Sequence, residues 1–385
     1  MKFSILVVTF VALAQAAPLI NNGGQAVPGS YIVALKNGQT AASFAPRFNS
    51  IAQRQNGRGG RKPTISRTYE NFPGFAAILN DAALKELLAS DDVDYIEQDA
   101  IVTAFGTQTN PPSWGLTRIS QHVRDLTQPY YYNNTAGLGI TAYVIDTGIN
   151  VQHVDFGGRA TWGANYVTGS PNTDENGHGT AVAAIIGGTQ HGVAKKISFK
   201  AVKVLDAQGS GTTSRVIAGM DWVITNAIPG KSVVNMSLGG GTSTAIDAAA
   251  QRLYAKNIPL FAALGNSGNS CSASPAGSAN VFTVGSSDSN DKVASTISNG
   301  ACVEIFAPGQ SIKTAWIGSN TATTTLSGSS FSTAFVSGTA GLYLSFNTIP
   351  TAQGVYNHLI NTATLNVLTG ALNGAPNRLV YNGGP

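Results

Sequence analysis

Charge is scarce in this chain. Only 11% of its 385 residues are Asp, Glu, Lys or Arg, against about 25% in an ordinary soluble protein. The formal balance is +4, and the densest basic group, Arg58, Arg61 and Lys62, lies in a Gly-rich stretch that reads as a linker. With no basic stripe, nucleic acid is excluded as a partner. Cysteine is nearly absent, so the two that exist, Cys271 and Cys302, allow at most one intramolecular bridge. Apolar runs are short. None beyond the N-terminus approaches membrane-spanning length, which excludes a membrane partner by that route. There is no internal repeat of fixed period and no long low-complexity tract.

What is abundant is small. The chain has 44 Gly, with frequent Ala, Ser and Thr, as suits a compact, turn-rich, tightly packed secreted enzyme. The length allows two or three domains. Met1–Ala16 reads as a secretory signal: Lys2 is the positive end, Ile5–Leu13 the apolar run, and Ala14-Gln15-Ala16 the cleavage site. The expected location is therefore extracellular. Export permits disulfides, and the two cysteines are either one bridge or two buried thiols. Asn133-Asn134-Thr135 is a glycosylation acceptor in a polar loop. Asn235-Met236-Ser237 fits the same pattern but lies in an apolar strand, where it is expected to be buried.

Residues from about 28 to 102 alternate strand, helix, strand, helix, strand: Gly29–Leu35, Phe44–Gln55, Gly74–Leu79, Ala82–Ala89 and Val93–Glu97. That is a ferredoxin-like α+β pattern. A polar, Pro-containing stretch, Thr107–Ser113, separates it from a larger unit. There the apolar strands Ile140–Ile145, Ile197–Leu205, Ser232–Leu238 and Ile258–Leu264 alternate with the helices His178–Ile186, Thr213–Asn226, Thr244–Lys256 and Ser330–Phe346. Continuous apolar strands between helices predict an α/β fold, a parallel sheet covered on both faces in three layers. In such a fold, chemistry gathers at the carboxyl ends of the strands.

Three motifs fall at strand ends or helix starts. Asp146-Thr147-Gly148 closes one strand, Asn176-Gly177-His178-Gly179-Thr180 opens one helix, and Gly328-Ser329-Ser330 opens another. Each alone is weak; their conjunction is not. A serine hydroxyl is a poor nucleophile until an imidazole takes its proton and a carboxylate holds that imidazole in the right tautomer. Asp146, His178 and Ser330 supply the three types as carboxylate, base and nucleophile. Asn266, after the strand Ile258–Leu264, supplies a side-chain donor for the oxyanion, together with the Ser330 backbone N–H. An esterase of the α/β-hydrolase kind is disfavoured. Its chain order is different, and Gly-x-Ser-x-Gly fails because residue 332 is Ser.

In the order Asp146…His178…Ser330 the chain resembles the subtilisin-like serine proteases, and within them the proteinase K group. Gln108–Leu116, Gly192–Lys196, Val202–Leu205, Ala218–Asp221, Ser237–Gly241 and Phe306–Gly309 are similar to stretches of that group. The resemblance implies three parts: a signal peptide, residues 1–16; an inhibitor and chaperone prosegment, residues 17–105; and a peptidase domain, residues 106–385. It implies a secreted, monomeric endopeptidase made as an autoprocessed zymogen, cutting near Phe105–Gly106, with the prosegment as a transient inhibitor. The mature part would keep 14 of the 23 basic and 11 of the 19 acidic residues, too mild a balance to select charged substrates.

By the same resemblance, Gly209-Ser210-Gly211 and Ser237-Leu238-Gly239 form two edge strands that clamp an extended peptide, and Ala263-Leu264-Gly265 line the primary pocket. Leu264 stands where a small residue is usual, and is expected to narrow that pocket toward small and medium apolar side chains. Cys271 and Cys302 resemble a bridged pair. No cofactor is implied for catalysis. Structural calcium is implied at the carbonyls of Ala279 and Val281 and the carboxylate of Glu304. The chain departs from the family around its nucleophile, with Ser329, Phe331, Ser332, Ala334 and Phe335 where Thr, Met, Ala, Pro and His are usual. Thr213 likewise replaces a distal-pocket Tyr. Those departures keep a second class of answer in view, a non-catalytic homologue that binds peptides.

Overall fold

The computed structural model describes residues 16–21, 26–56, 61–100, 105–266, 270–294 and 300–384. The signal segment, apart from Ala16, and Arg58 lie outside the described residues. The chain divides into two compact units, Met1–Val102 and Thr103–Pro385.

The first unit contains β1 (Leu19–Ile20), β2 (Ala26–Leu35), α1 (Ala41–Arg54), β3 (Thr64–Thr68), β4 (Gly74–Ile78), α2 (Asp81–Leu88) and β5 (Val93–Ala100). Its sheet runs β1-β5-β2-β4-β3. The four strands β2 to β5 with the two helices give the ferredoxin-like pattern; β3 completes it although its Thr-Ile-Ser-Arg-Thr sequence is polar and mostly exposed. Alternate residues of the strands, Val33, Leu35, Phe75 and Ala77, meet Phe44, Phe48 and Ile51 of α1 and Leu87 of α2 on one face.

The second unit opens with β6 (Phe105–Gln108), α3 (Trp114–Ile119) and β7 (Tyr130–Asn133), β6 pairing antiparallel with β7. There follow β8 (Thr141–Asp146), β9 (Ala160–Asn165), α4 (His178–Gly187), β10 (Ser198–Lys203), α5 (Thr213–Asn226), β11 (Ser232–Met236), α6 (Thr244–Ala255), β12 (Leu260–Ala263), β13 (Phe282–Ser287) and β14 (Ile305–Pro308). A hairpin, β15 (Ile312–Ala315) and β16 (Thr323–Leu326), precedes α7 (Ser329–Phe346), α8 (Ala352–Thr362), β17 (Thr364–Leu365) and β18 (Arg378–Leu379). Nine strands form one sheet, β17-β18-β14-β13-β12-β11-β8-β10-β9, parallel throughout except for the last pair β17–β18.

The central strand shows how the layers arise. Ala142 and Val144 of β8 face a core shared with α4 and α7; Tyr143 and Ile145 face one shared with α5 and α6. Both faces are apolar, so the strand reads as one continuous run. Helix α7 is buried from Ser329 to Leu344, which requires small or apolar residues all round. A Cβ on Gly338 would fall 2.6 Å from the Ile186 carbonyl oxygen, and one on Gly341 would fall 2.5 Å from Ile197. Gly338 thus lets α7 lie against α4, which carries His178 at its first turn, and Gly341 lets it approach Ile197, just before β10.

Candidate active site

The sheet brings its carboxyl ends to one rim. Asp146 ends β8, Lys203 ends β10 and pairs with it in register, and Asn266 follows β12. Asp146 is fully buried, and its Oδ1 accepts the Thr147 N–H at 2.7 Å. His178 opens α4 behind Gly177, whose φ of 104° is the left-handed conformation that favours glycine. Gly179 is just as constrained, because a Cβ there would lie 2.1 Å from the Gly148 carbonyl oxygen. The bare Gly179 lets the helix start press against the Asp146 turn. His178 Nδ1 is then 2.8 Å from Asp146 Oδ1 and 3.0 Å from Oδ2. Its ring remains 28% exposed.

A residue absent from the sequence-based assignment holds this corner. Asp174 is buried and accepts hydrogen bonds from Thr147 Oγ1, Thr180 Oγ1 and the N–H groups of Asn176, Gly177 and Thr180. Two of the N–H donors, those of Gly177 and Thr180, belong to the cap and first turn of α4, where backbone N–H groups otherwise lack partners. Burial by itself depresses the His178 pKa, but the Asp146 carboxylate, by charge and hydrogen bond, and then Asp174 more than offset it and hold it above the usual histidine range. The signal in the sequence is an acid in Asn-Thr-Asp-Glu-Asn-Gly-His, four residues before a helix-opening His.

Ser330 lies in the first turn of α7 and is 9% exposed. Its Oγ donates to the Ser237 carbonyl at 3.2 Å, while Ser237 Oγ donates to the Ser330 carbonyl at 2.8 Å. Ser237 Oγ in turn accepts from Asn235 Nδ2, and Asn235 Oδ1 accepts from Ser337 Oγ. Asn235 is fully buried, as its strand pattern predicts, and it fixes the Ser330 turn to the end of β11. Asn266 Oδ1 accepts from both the Ser329 N–H and Ser329 Oγ at 3.1 Å, and the Gly265 N–H donates to Ser329 Oγ. With its oxygen engaged there, the amide presents Nδ2 on its other side. Ser329, one of the family departures, thus orients Asn266.

Two adjoining cavities share Ser237–Gly240. One, of about 520 Å³, is lined by His178, Thr147, Leu205, Gly209–Thr213 and Ile246; the other, of about 460 Å³, by Ala263–Asn266, Ala273, Ala276, Ser329 and Ser330. The two clamp segments are not strands. Gly209 has a φ of 73° in a turn where Asp206 Oδ1 accepts from the Gln208 and Ser210 N–H groups, and Ser237–Gly239 runs on beyond β11 without a ladder. Leu264 lines the second cavity, as expected, although it is only 1% exposed and also packs with Val293, Val303, Phe306 and Leu379. Phe331 is likewise buried in the main core, its ring 6.0 Å from that of His178.

Cys271 and Cys302 are bridged. Asn133 is half-buried at the end of β7, its Oδ1 accepting from the Thr135 N–H and Oγ1. Glu304 sits just before β14, where burial pushes its carboxyl up to about 7 although its Oε2 accepts the Thr283 N–H. Its Oε1 would be the carboxylate oxygen open to a cation. Calcium takes about six to eight oxygens, and no group of three acidic, His or Cys side chains stands ready for a metal among the described residues.

Residues 137–381 match the Subtilase family, peptidase S8, and residues 30–105 match the peptidase inhibitor I9 family. A subtilisin-like serine protease of Sarocladium strictum, AsES, is 47% identical over 322 residues, 82% of this chain and 81% of that protein. A cuticle-degrading serine protease of Arthrobotrys oligospora is 37% identical over 391 residues, 96% of this chain and 95% of that protein. The crystal structure of a cold adapted subtilisin-like serine proteinase superposes with a TM-score of 0.66 at 44% identity, covering 70% of this chain and 97% of that one. The chain belongs to the subtilase family, and is a serine endopeptidase made as a zymogen with its own inhibitor-type prosegment.

Proposed function

We propose that Ser330 is the nucleophile, His178 the base and then the acid, Asp146 the group that orients it, and Asn266 with the Ser330 N–H the oxyanion donors. The observation that carries this reading is the Asp146–His178 pair at 2.8 Å, beside cavities that adjoin at Ser237–Gly240 and hold Ser330 and Asn266. Turning Ser330 Oγ away from the Ser237 carbonyl frees it to give its proton to His178 Nε2. The Nδ1–H stays on Asp146, which stabilises the imidazolium. The tetrahedral oxygen then falls between two donors, one a backbone N–H at the positive end of α7.

The substrate is an extended peptide with an apolar residue before the cut bond. The wall made by Gly239, Gly240, Ala263, Leu264, Ala273 and Ala276 supports a preference for small to medium apolar side chains, with Leu264 limiting the room. Thr213 opens the distal end. The protein is exported by Met1–Ala16, glycosylated at Asn133, and cut after Phe105. Gly106–Gln108 would then remain paired to Tyr130–Tyr132, with Gln108 held by Lys195 Nζ at 2.8 Å.

The test is to express the full precursor, measure the mass and N-terminus of the product, and label it with a fluorophosphonate. A product beginning within a few residues of Gly106, labelled on Ser330, is expected. A folded precursor that stays uncut and takes no label would overturn the reading. A second measurement isolates the oxyanion site: Asn266→Leu is expected to lower kcat by about 10²–10³-fold with KM little changed, and an equal effect on both constants would count against that role.

A further inference from the structure

We infer that Lys203 is a positioning residue for the reaction, a buried ammonium that locks the Asp146 turn to the substrate-binding loop. The inference rests on the assignment of Asp146 and His178 proposed above. Lys203 ends β10 and its side chain is 0% exposed. Its Nζ donates to the Thr147 carbonyl at 2.7 Å and the Leu205 carbonyl at 2.9 Å, and lies 3.7 Å from Glu175 Oε2. Each contact falls on a different loop of the site.

Thr147 donates its N–H to Asp146, its hydroxyl to Asp174, and accepts the Gly179 N–H. Lys203 fixes the one polar group of Thr147 left over, its carbonyl. Leu205 leads into the Asp206–Ser210 turn at the edge of the cleft. Glu175 stands between Asp174 and Asn176, and Asn176 Nδ2 donates to the Ala207 carbonyl while its Oδ1 accepts the His178 N–H. One cation therefore joins the carboxylate turn, the helix start that carries His178, and the loop on which a peptide would lie. A lysine buried without water is costly unless its donors are met. A neutral residue of the same shape would pack there without that cost, yet would bridge nothing.

Of the charged groups at this corner, Glu175 lies 3.7 Å from the Lys203 ammonium and Asp146 is the register partner of Lys203 on β8, while Asp146 and Asp174 are the acids that raise the His178 pKa. Tyr166, after β9, donates its N–H to the Lys203 carbonyl. Removing the cation strips a positive charge from beside Asp146, so the protonated form of His178 gains and its pKa rises. Removing Glu175 does the opposite.

The experiment compares wild type, Lys203→Met and Glu175→Gln on a peptide anilide that spans the cleft, with rates normalised to fluorophosphonate-labelled sites. Lys203→Met is expected to lower kcat/KM about tenfold or more and to move its acid limb up by about half a pH unit. Glu175→Gln is expected to move the limb down. A purely structural lysine would reduce the labelled fraction without moving the limb, and an unmoved limb in labelled Lys203→Met overturns the inference. If Lys203→Met does not fold, Glu175→Gln decides: a lower limb supports the coupling, an unmoved one overturns it. Failure of wild type to label would instead sink the assignment of the triad.

Discussion

Replacing Ser330 with alanine is expected to lower kcat by about 10⁶-fold, the loss that follows removal of the nucleophile from such a triad, and to leave the precursor uncut. The fold should be untouched. Ser330 Oγ makes one hydrogen bond, to the Ser237 carbonyl, and Ser237 still binds the Ser330 carbonyl through its own hydroxyl. Ala is a better helix former than Ser in the first turns of α7. A folded, intact precursor with no label is thus the predicted product, and peptide inhibitors should still bind it. Adding His178→Ala should cost little more, because the serine and imidazole act as one unit. Residual catalysis of about 10³–10⁴ over water should survive through Asn266 and the Ser330-position N–H. A loss below about a hundredfold in Ser330→Ala would mean that another group attacks the peptide.

The sequence made the middle of this fold legible because its strands are buried on both faces. Ser198–Lys203 and Ser232–Met236 lie within the expected apolar runs, Thr141–Asp146 matches Ile140–Ile145 to within one residue at each end, and α5 spans Thr213–Asn226 as expected. Short elements escaped. β13 and β14 have six and four residues and carry Gly, Ser and Pro. The pairs β6–β7 and β15–β16 are polar ribbons without a continuous apolar run. The same double burial that reveals a strand hides which way its residues point. Ala263 and Leu264 are both buried and both line the cavity, so no alternation separates cavity from core there.

The candidate site divides in the same way. Asp146, His178, Ser330 and Asn266 stand at strand ends or helix starts, where motif and position agree. The residues that hold them do not. Asp174 is one polar residue among many in its loop, and its five donors come from residues up to 27 positions away. Asn235 sits in a strand as if it were core. Lys203 left the clearest trace, a charge in Phe-Lys-Ala-Val-Lys-Val-Leu at a position that turns out wholly buried. Ser329 stands out in the sequence only as a departure from the family pattern, whereas its hydroxyl and N–H both hold Asn266.

Asp146→Asn should cost about 10⁴-fold in kcat while leaving the geometry almost unchanged. The reason lies in the atoms around the carboxylate. Oδ1 accepts the Thr147 N–H at 2.7 Å, so an asparagine there keeps its oxygen on that side. Its NH₂ then takes the place of Oδ2, 3.0 Å from His178 Nδ1, and can only donate. The retained oxygen still lies 2.8 Å from Nδ1, but the new NH₂ donor beside it favours the tautomer in which Nδ1 accepts and the proton sits on Nε2. In that tautomer the nitrogen facing Ser330 is no longer a base. The pH profile should shift as well. Burial lowers the His178 pKa and Asp146 is the largest influence raising it. Without that charge the pKa falls, and the acid limb of kcat/KM moves to lower pH. In wild type the active, neutral imidazole is lost as pH falls through a pKa above the usual histidine value; in the variant it persists to lower pH but mostly in the wrong tautomer. Low rate with a lowered acid limb, on labelled and folded enzyme, is the expected pair of results. A limb that rises, or a loss below tenfold, would show that Asp146 does not set the state of His178.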